Sequence, residues 1–155
     1  MKTAPLTAEK VSGPQVRQFS VFLQNKVGAL LEIVKLLNES NIEVLALSIQ
    51  DSSESAIARM IVSDPEAVAD IFAVNDIPFS DCEVLVVELP NGATDLSRML
   101  AALLMGEVNI IFSYPLLTRP RGRSVIVLHP DDLECSTNVL LGERFAILTQ
   151  SDLSR

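Results

Sequence analysis

The residues with most chemistry in them form one short segment, Asn25-Lys26-Val27-Gly28-Ala29-Leu30. It stands between a predicted strand and a predicted helix. A glycine there lets the backbone take conformations closed to other residues, or lets a ligand come close to it. The first amides of a helix have no partner inside the helix and lie at its positive dipole end, so a carboxylate is welcome beside them. The Asn25 side chain either caps that helix or holds an α-amino group. On spacing alone a plainer reading stays open, in which Gly28 only closes the turn and Asn25 only caps.

Other reactive residue types are sparse. Cys82 and Cys135 lie 53 positions apart and neither belongs to a CxxC pair, so neither zinc nor a disulfide is expected. His129 is the sole histidine, and no partners at metal-ligand or catalytic spacing surround it. Walker-type loops, GxSxG and HExxH patterns are absent. No catalytic residue, metal or cofactor is therefore expected. Arg119-Pro120-Arg121-Gly122-Arg123 is the dense basic cluster, placed where a hairpin should turn. It reads as a contact for phosphate or an acidic partner, or else as a solvated tip. Asp131 and Asp132 fit the first turn of a helix electrostatically.

The elements that position these residues come from an internal duplication. Asn25 maps on Asn91, Leu30 on Leu96, Ile33 on Met99, Leu37 on Leu103 and Ile42 on Val108, each pair 66 apart. Asp64-Pro65-Glu66 then maps on His129-Pro130-Asp131 at 65, and Phe79 on Phe145 at 66. In the first copy, residues 16–23 alternate as a strand, while Leu30, Ile33, Val34 and Leu37 mark one helical face over 28–40. Strands follow over 42–50 and 56–62, separated by the turn cluster 51–55. Asp64 is a good N-cap, with Pro65 at the first helical position, and the helix should end near Asn75. Residues 79–82 suit a short edge strand. The second copy repeats the order: strand 83–89, helix 94–105, strands 108–117 and 124–129, helix 131–141, strand 145–149.

The expected fold is thus α+β: two ferredoxin-like βαββαβ units, each an antiparallel sheet with helices on one face. Residues 1–15 read as a loose arm, 16–82 as the first unit and 83–155 as the second. A unit of roughly 65 residues is marginal alone, so the units should pack on one another, within the chain or between chains.

NKVGALLEIVKLLNESNIEVLALSI, at the head of a βαββαβ unit, resembles the ACT domain, whose pattern is Asp or Asn, x-Pro-Gly-x-Leu, a helix and an Asn-Ile-Asn-type entry to the next strand. Asn25, Gly28, Leu30, Asn41 and Ile42 match it, and Val27 stands where the family usually has proline. The resemblance spans about residues 16–150 as two copies. It implies a regulatory module that binds a small ligand, usually an amino acid, at an interface between two such domains. The ligand's charged ends would meet residues 25–30, with Asn91, Gly92, Thr94 and Asp95 as the second copy's counterparts. Because ACT sheets often join edge to edge through their second strands, Ser48, Gln50, Asp51, Ser113 and Tyr114 become further candidate contacts. In the second copy Thr94 aligns with Gly28, and Thr94-Asp95 reads as an N-cap pair whose charge opposes a ligand carboxylate. The first turn is therefore expected to be the better site.

Composition narrows the function classes. The chain has 155 residues, 48% hydrophobic, with a net charge of −8, so it has ample material for a core and little affinity for polyanions. With 5% aromatic residues it is a poor candidate for an RNA-binding sheet. No apolar run approaches the ~20 residues of a bilayer span. Without a secretory signal, a cytoplasmic homodimer without nucleic-acid or membrane partners is expected. The leading function is non-catalytic amino-acid sensing. The alternatives are a regulatory subunit docking on a separate biosynthetic enzyme, or a small enzyme of this fold such as an acylphosphatase, which would need an arginine at the first strand–helix turn.

Overall fold

The computed structural model describes residues 13–24, 28–51 and 55–154. The elements run β1 (Val16–Gln24), α1 (Ala29–Glu39), β2 (Val44–Asp51), β3 (Ser55–Val62), α2 (Pro65–Val74), β4 (Phe79–Leu89), α3 (Ala93–Met105), β5 (Ile110–Pro115), a 3-10 turn (Pro120–Gly122), β6 (Ser124–Pro130), α4 (Leu133–Gly142) and α5 (Gln150–Leu153). This is the mixed α+β repeat that the periodicities anticipate. The turn residues Ser52, Ser53 and Glu54, and the arm up to residue 12, lie outside the described residues.

Helix boundaries follow from local chemistry. Asp64 caps α2, accepting from Ala67 N–H at 3.2 Å, with Pro65 at the position that lacks an amide to satisfy. Among the described residues, all four long helices end in the same way. A residue of positive φ (Asn41, Asp76, Glu107, Arg144) reverses the chain. The next amide then returns to the helix, as in Ile42 N–H to Leu37 O and Val108 N–H to Leu103 O.

Every strand pairing is antiparallel, in the order β2-β3-β1-β4-β6-β5. Strand β4 differs from the expected pair of separate strands over 79–82 and 83–89. It is one continuous strand, pairing with β1 through Phe79–Val84 and with β6 through Leu85–Leu89. No glycine or proline stands between Phe79 and Leu89, so nothing breaks the strand there. The expected strand over 145–149 shrinks to one bridge, Ile147 with Val87, flanked by Leu148 N–H to Val86 O at 2.8 Å. Thr149 stops it by opening α5 through a reciprocal capping box with Asp152.

Three cores result. Phe19, Val21, Ile33, Leu37, Met60 and Phe72 pack α1 and α2 on the first half of the sheet. Leu85, Val87, Met99, Leu103, Leu128 and Leu140 do the same for α3 and α4 on the second. The third lies on the helix-free faces and joins both halves: Val16, Ala46, Ile61, Val84, Val86, Tyr114, Val125 and Val127. Strands β2 and β5 stand at opposite ends of the strand order, yet Leu117 N–H donates to Leu45 O at 2.7 Å. The sheet therefore folds over on itself around this inner core, with the helices outside. Gln18, only 1% exposed, spans it by accepting from Tyr114 Oη at 2.6 Å.

Candidate functional site

The first strand–helix turn ends at Gly28, the N-cap of α1, with φ 88° and ψ −5°. Its carbonyl accepts the first helical bond, from Glu32 N–H at 3.0 Å. The amides of residues 28–31 therefore have no partner inside the helix. A Cβ at Gly28 would meet nothing within 4 Å, so the backbone conformation, not crowding, requires glycine. Ala29 borders a groove of about 380 Å³ between the end of β1, α1 and the 75–78 connection. Phe22, Ile33, Leu36, Ile77 and Pro78 make it largely apolar, and Glu32 and Asp76 bring carboxylates to its lining. Leu30 packs against the outer core of the first half. Asn25, Lys26 and Val27 lie outside the described residues.

At the second turn the structure corrects the alignment. The N-cap of α3 is Gly92, at φ 61° and ψ −123°, so Gly92 and not Thr94 occupies the place of Gly28. The helix is 13 residues long against 11 for α1, with the two extra residues at its start. Thr94 and Asp95 consequently lie inside the first turn and do not cap it. Asp95 reaches back to accept Asn91 N–H at 2.7 Å, and its other oxygen lies 3.5 Å from Arg98 Nη2. The Asn91 amide holds the Asp95 carboxyl below the usual carboxylate range, against the opposing effect of burial. A resident carboxylate thus already sits at this turn.

The remaining candidates separate. Asp51 pairs with Ala56 and Gln24 with Ser55, which puts Asp51 at the same end of the sheet as Gly28, two strands away. Gln50 accepts from Arg59 at 2.8 Å. Tyr114 is buried in the inner core, where burial pushes its phenol pKa up, and it cannot line a surface site. Its neighbour Ser113 pairs with Leu128 on β6. The helix-free faces meet within one chain, which is why Tyr114 becomes core, while Gln50, Asp51 and Ser113 stay exposed and Ser48 is half-buried.

The basic tip is partly tied down, although its arginine side chains stay exposed. Arg123 and Arg121 approach the two oxygens of Glu88 at 3.1 and 3.3 Å, and Glu88 is 2% exposed. The signal for Glu88 was present as one acid inside the apolar run Leu85-Val86-Val87-Glu88-Leu89, but its partners lie over 30 residues away. Asp131 is also corrected: it precedes α4 and accepts from Asn109 N–H and Nδ2, both at 3.2 Å, while Asp132 is the cap. The true counterpart of Asp64 is therefore Asp132, not His129.

His129 stacks on Phe112 with ring centroids 4.7 Å apart, and its Nδ1 lies 3.9 Å from Cys82 Sγ. Burial raises the Cys82 thiol pKa, the reverse of what an activated nucleophile needs. Among the described residues no group of three or more His, Cys, Asp or Glu could hold a metal ion, and no helix is long and apolar enough to cross a membrane.

A family model described as an ACT domain pair matches residues 15–155. A crystal structure of a Bacteroides thetaiotaomicron protein superposes with a TM-score of 0.83 and 28% identity, over 91% of this chain and 96% of that one. Two further structures share the fold at lower identity. Aspartokinase alpha and beta subunits give TM-score 0.56 and 17% identity, covering 83% of this chain and 91% of theirs. The ligand-free regulatory subunit of aspartate kinase from Thermus thermophilus gives 0.57 and 10%, covering 84% and 93%. No curated relative matches the chain.

Proposed function

This chain belongs to the ACT domain pair family, and from that premise we propose that it is a non-catalytic regulatory protein whose first unit binds an amino acid. The observation that carries the reading is the Gly28 N-cap: a left-handed glycine with open space over it, beside an apolar groove. The ligand carboxylate meets the amides of residues 28–31, assisted by the helix dipole. Its ammonium group has Glu32 and Asp76 nearby, and its side chain enters the groove. The second turn is the poorer site, because Asp95 already takes the Asn91 amide and would repel a carboxylate. Residues 16–82 and 83–155 act as the two units, the second chiefly as a packing partner.

The test is a thermal-shift panel of the twenty amino acids. A ligand at about 100 times its Kd adds roughly 2.7 kcal/mol, or ~5–10 °C for a chain of this size. Titration of the Gly28→Asn chain should then show one site fewer than the wild type. No shift with any amino acid refutes the reading. A second reading, docking on a separate enzyme, is favoured by the exposed Leu100, Leu104 and Met105 of α3. The Thermus aspartate kinase regulatory subunit shares this fold. Loss of copurification with an enzyme on Leu104→Glu would support that reading.

A further inference from the structure

Helix α3 is apolar on two faces, and the core uses one of them. Met99 and Leu103, four residues apart, are buried in the outer core of the second half. Ser97, Leu100, Ala101, Leu104 and Met105 recur at three- and four-residue steps on the side that faces solvent. Leu104 is 76% exposed and Met105 84%. From Leu96 to Gly106 the one charged residue is Arg98. Its guanidinium is already committed to Asp95, the Glu143 carbonyl and the Phe145 ring.

The duplication supplies an internal control. The two helix ends stay in step at 66 residues, since Leu37 and Leu103 accept equivalent amides. Lys35, Asn38 and Glu39 therefore stand on α1 where Ala101, Leu104 and Met105 stand on α3, and all three are exposed. Leu31 is exposed on the same face of α1, but a single surface leucine is ordinary. This fold therefore accepts a polar outer face on the helix, and the apolar one on α3 answers another demand.

Leu100, Leu104 and Met105 together expose roughly 400 Å² of side chain, the size of patch that marks contact sites on soluble proteins. Beside them a groove of about 550 Å³ runs between α3 and α4, lined in part by the small residues Ala101, Ala102, Gly106 and Gly142. Ridge and hollow thus lie side by side on one surface, the form of a self-complementary contact. Charge points the same way. A chain of net charge −8 repels its own copy, and the stretch from Leu96 to Gly106 carries no acid. Sheet-to-sheet packing is already satisfied inside one chain, where the helix-free faces bury each other and Leu117 N–H donates to Leu45 O.

We propose that this face of α3 binds a second copy of the chain, the two helices running antiparallel across a two-fold axis level with Ala102 and Leu103. Ala101 then lies under the partner's Leu104, a small residue beneath a large one, and the partner's Met105 enters the groove. Antiparallel packing also sets opposite ends of the two helix dipoles side by side. Both copies together bury roughly 800–1,000 Å², the low end for specific interfaces, so the dimer is weak and dissociates on dilution. The surface shares no residue with the Gly28 groove.

Sedimentation velocity of the full chain, from low micromolar to near-millimolar concentration, tests this. The sedimentation coefficient is expected to climb from monomer to dimer across that range. Leu104→Glu sets a carboxylate on each side of the axis and should weaken association about tenfold or more, as should Met105→Glu. Both side chains are largely exposed, so an unchanged melting temperature in dilute solution verifies that the variants fold. Asn38→Glu, the same position on α1, should leave association untouched. In a mixture of Ala101→Cys and Leu104→Cys chains, oxidation should link unlike chains faster than like ones. A monomer at every concentration overturns the proposal and returns the stripe to docking on a separate enzyme. A dimer that survives both glutamate variants overturns it too, because the contact then lies on another face, as does cross-linking without preference for unlike chains. None of these results touches the function proposed for the first turn.

Discussion

The two turn glycines carry the same residue type for different geometric reasons, and substitution should separate them. Gly28 lies in the left-handed helical region at φ 88°, ψ −5°. Gly92 lies at φ 61°, ψ −123°, the geometry a type II′ turn gives its first central residue. Neither position would place a Cβ within 4 Å of another atom, so any cost is conformational and not a clash. Alanine in the left-handed region costs roughly 1–2 kcal/mol. The stiffer unfolded chain returns about 0.4–1 kcal/mol, leaving a net loss of ~0.5–1.5 kcal/mol for Gly28→Ala. At ~2–4 °C per kcal/mol this lowers Tm by ~1–6 °C. Asparagine tolerates the left-handed region, so Gly28→Asn should stay within about 0.5 kcal/mol of wild type. At Gly92 the left-handed tolerance of asparagine gives no relief, and both Ala and Asn should cost ~1–3 kcal/mol. Urea unfolding followed by circular dichroism, with m-values checked for constancy, measures each variant. Equal losses for Ala and Asn at residue 28, or a neutral Gly92→Asn, would refute the conformational reasoning.

Two further outcomes follow from the buried polar groups. Tyr114→Phe leaves the Gln18 Oε1 without its donor in the inner core, at a cost of ~1–3 kcal/mol in chemical denaturation. Burial raises the phenol pKa in the folded state above its unfolded value near ~10, so the stability it contributes is complete below about pH 10 and lost as pH rises beyond. Alkaline melts should accordingly be flatter for Tyr114→Phe than for wild type, and identical steepness would contradict this. Removing both arginines from Glu88 (Arg121→Gln with Arg123→Gln) strands a buried carboxylate. Both arginine side chains are more than half exposed, so screening brings the loss below the value for a wholly buried pair, to ~2–3 kcal/mol. Adding Glu88→Met should restore stability to wild type or above, and no recovery in Tm would refute the account.

Much of the architecture was legible because it rests on local physics. The 3.6-residue spacing of Ile33 and Leu37 marks the buried face of α1, and both are core residues. Asp64 caps α2 with its own side chain, an interaction three residues long. The 66-residue duplication holds where it follows helix ends, since Leu37 and Leu103 accept equivalent amides 66 apart. It shifts where helix lengths differ. Two residues added at the start of α3 move the counterpart of Gly28 from Thr94 to Gly92, and no periodic signal reports which end of a helix has grown.

What the sequence determined by itself is everything whose cause lies within a few residues: the α+β repeat, the capped helices, and a glycine where β1 turns into α1. Only the tertiary structure decided how the halves meet. Strand β4 runs through both, the sheet closes so that Leu117 finds Leu45, and Tyr114 becomes core instead of a ligand contact. It also brings two of the three tip arginines, Arg121 and Arg123, down onto one buried carboxylate, Glu88. The physical reason is the same in each case. Periodicity tells a side chain which face to take, but a helix-free sheet face looks alike whether it awaits another chain or its own second half. The partner of a buried charge is set by packing across the chain, not by spacing along it.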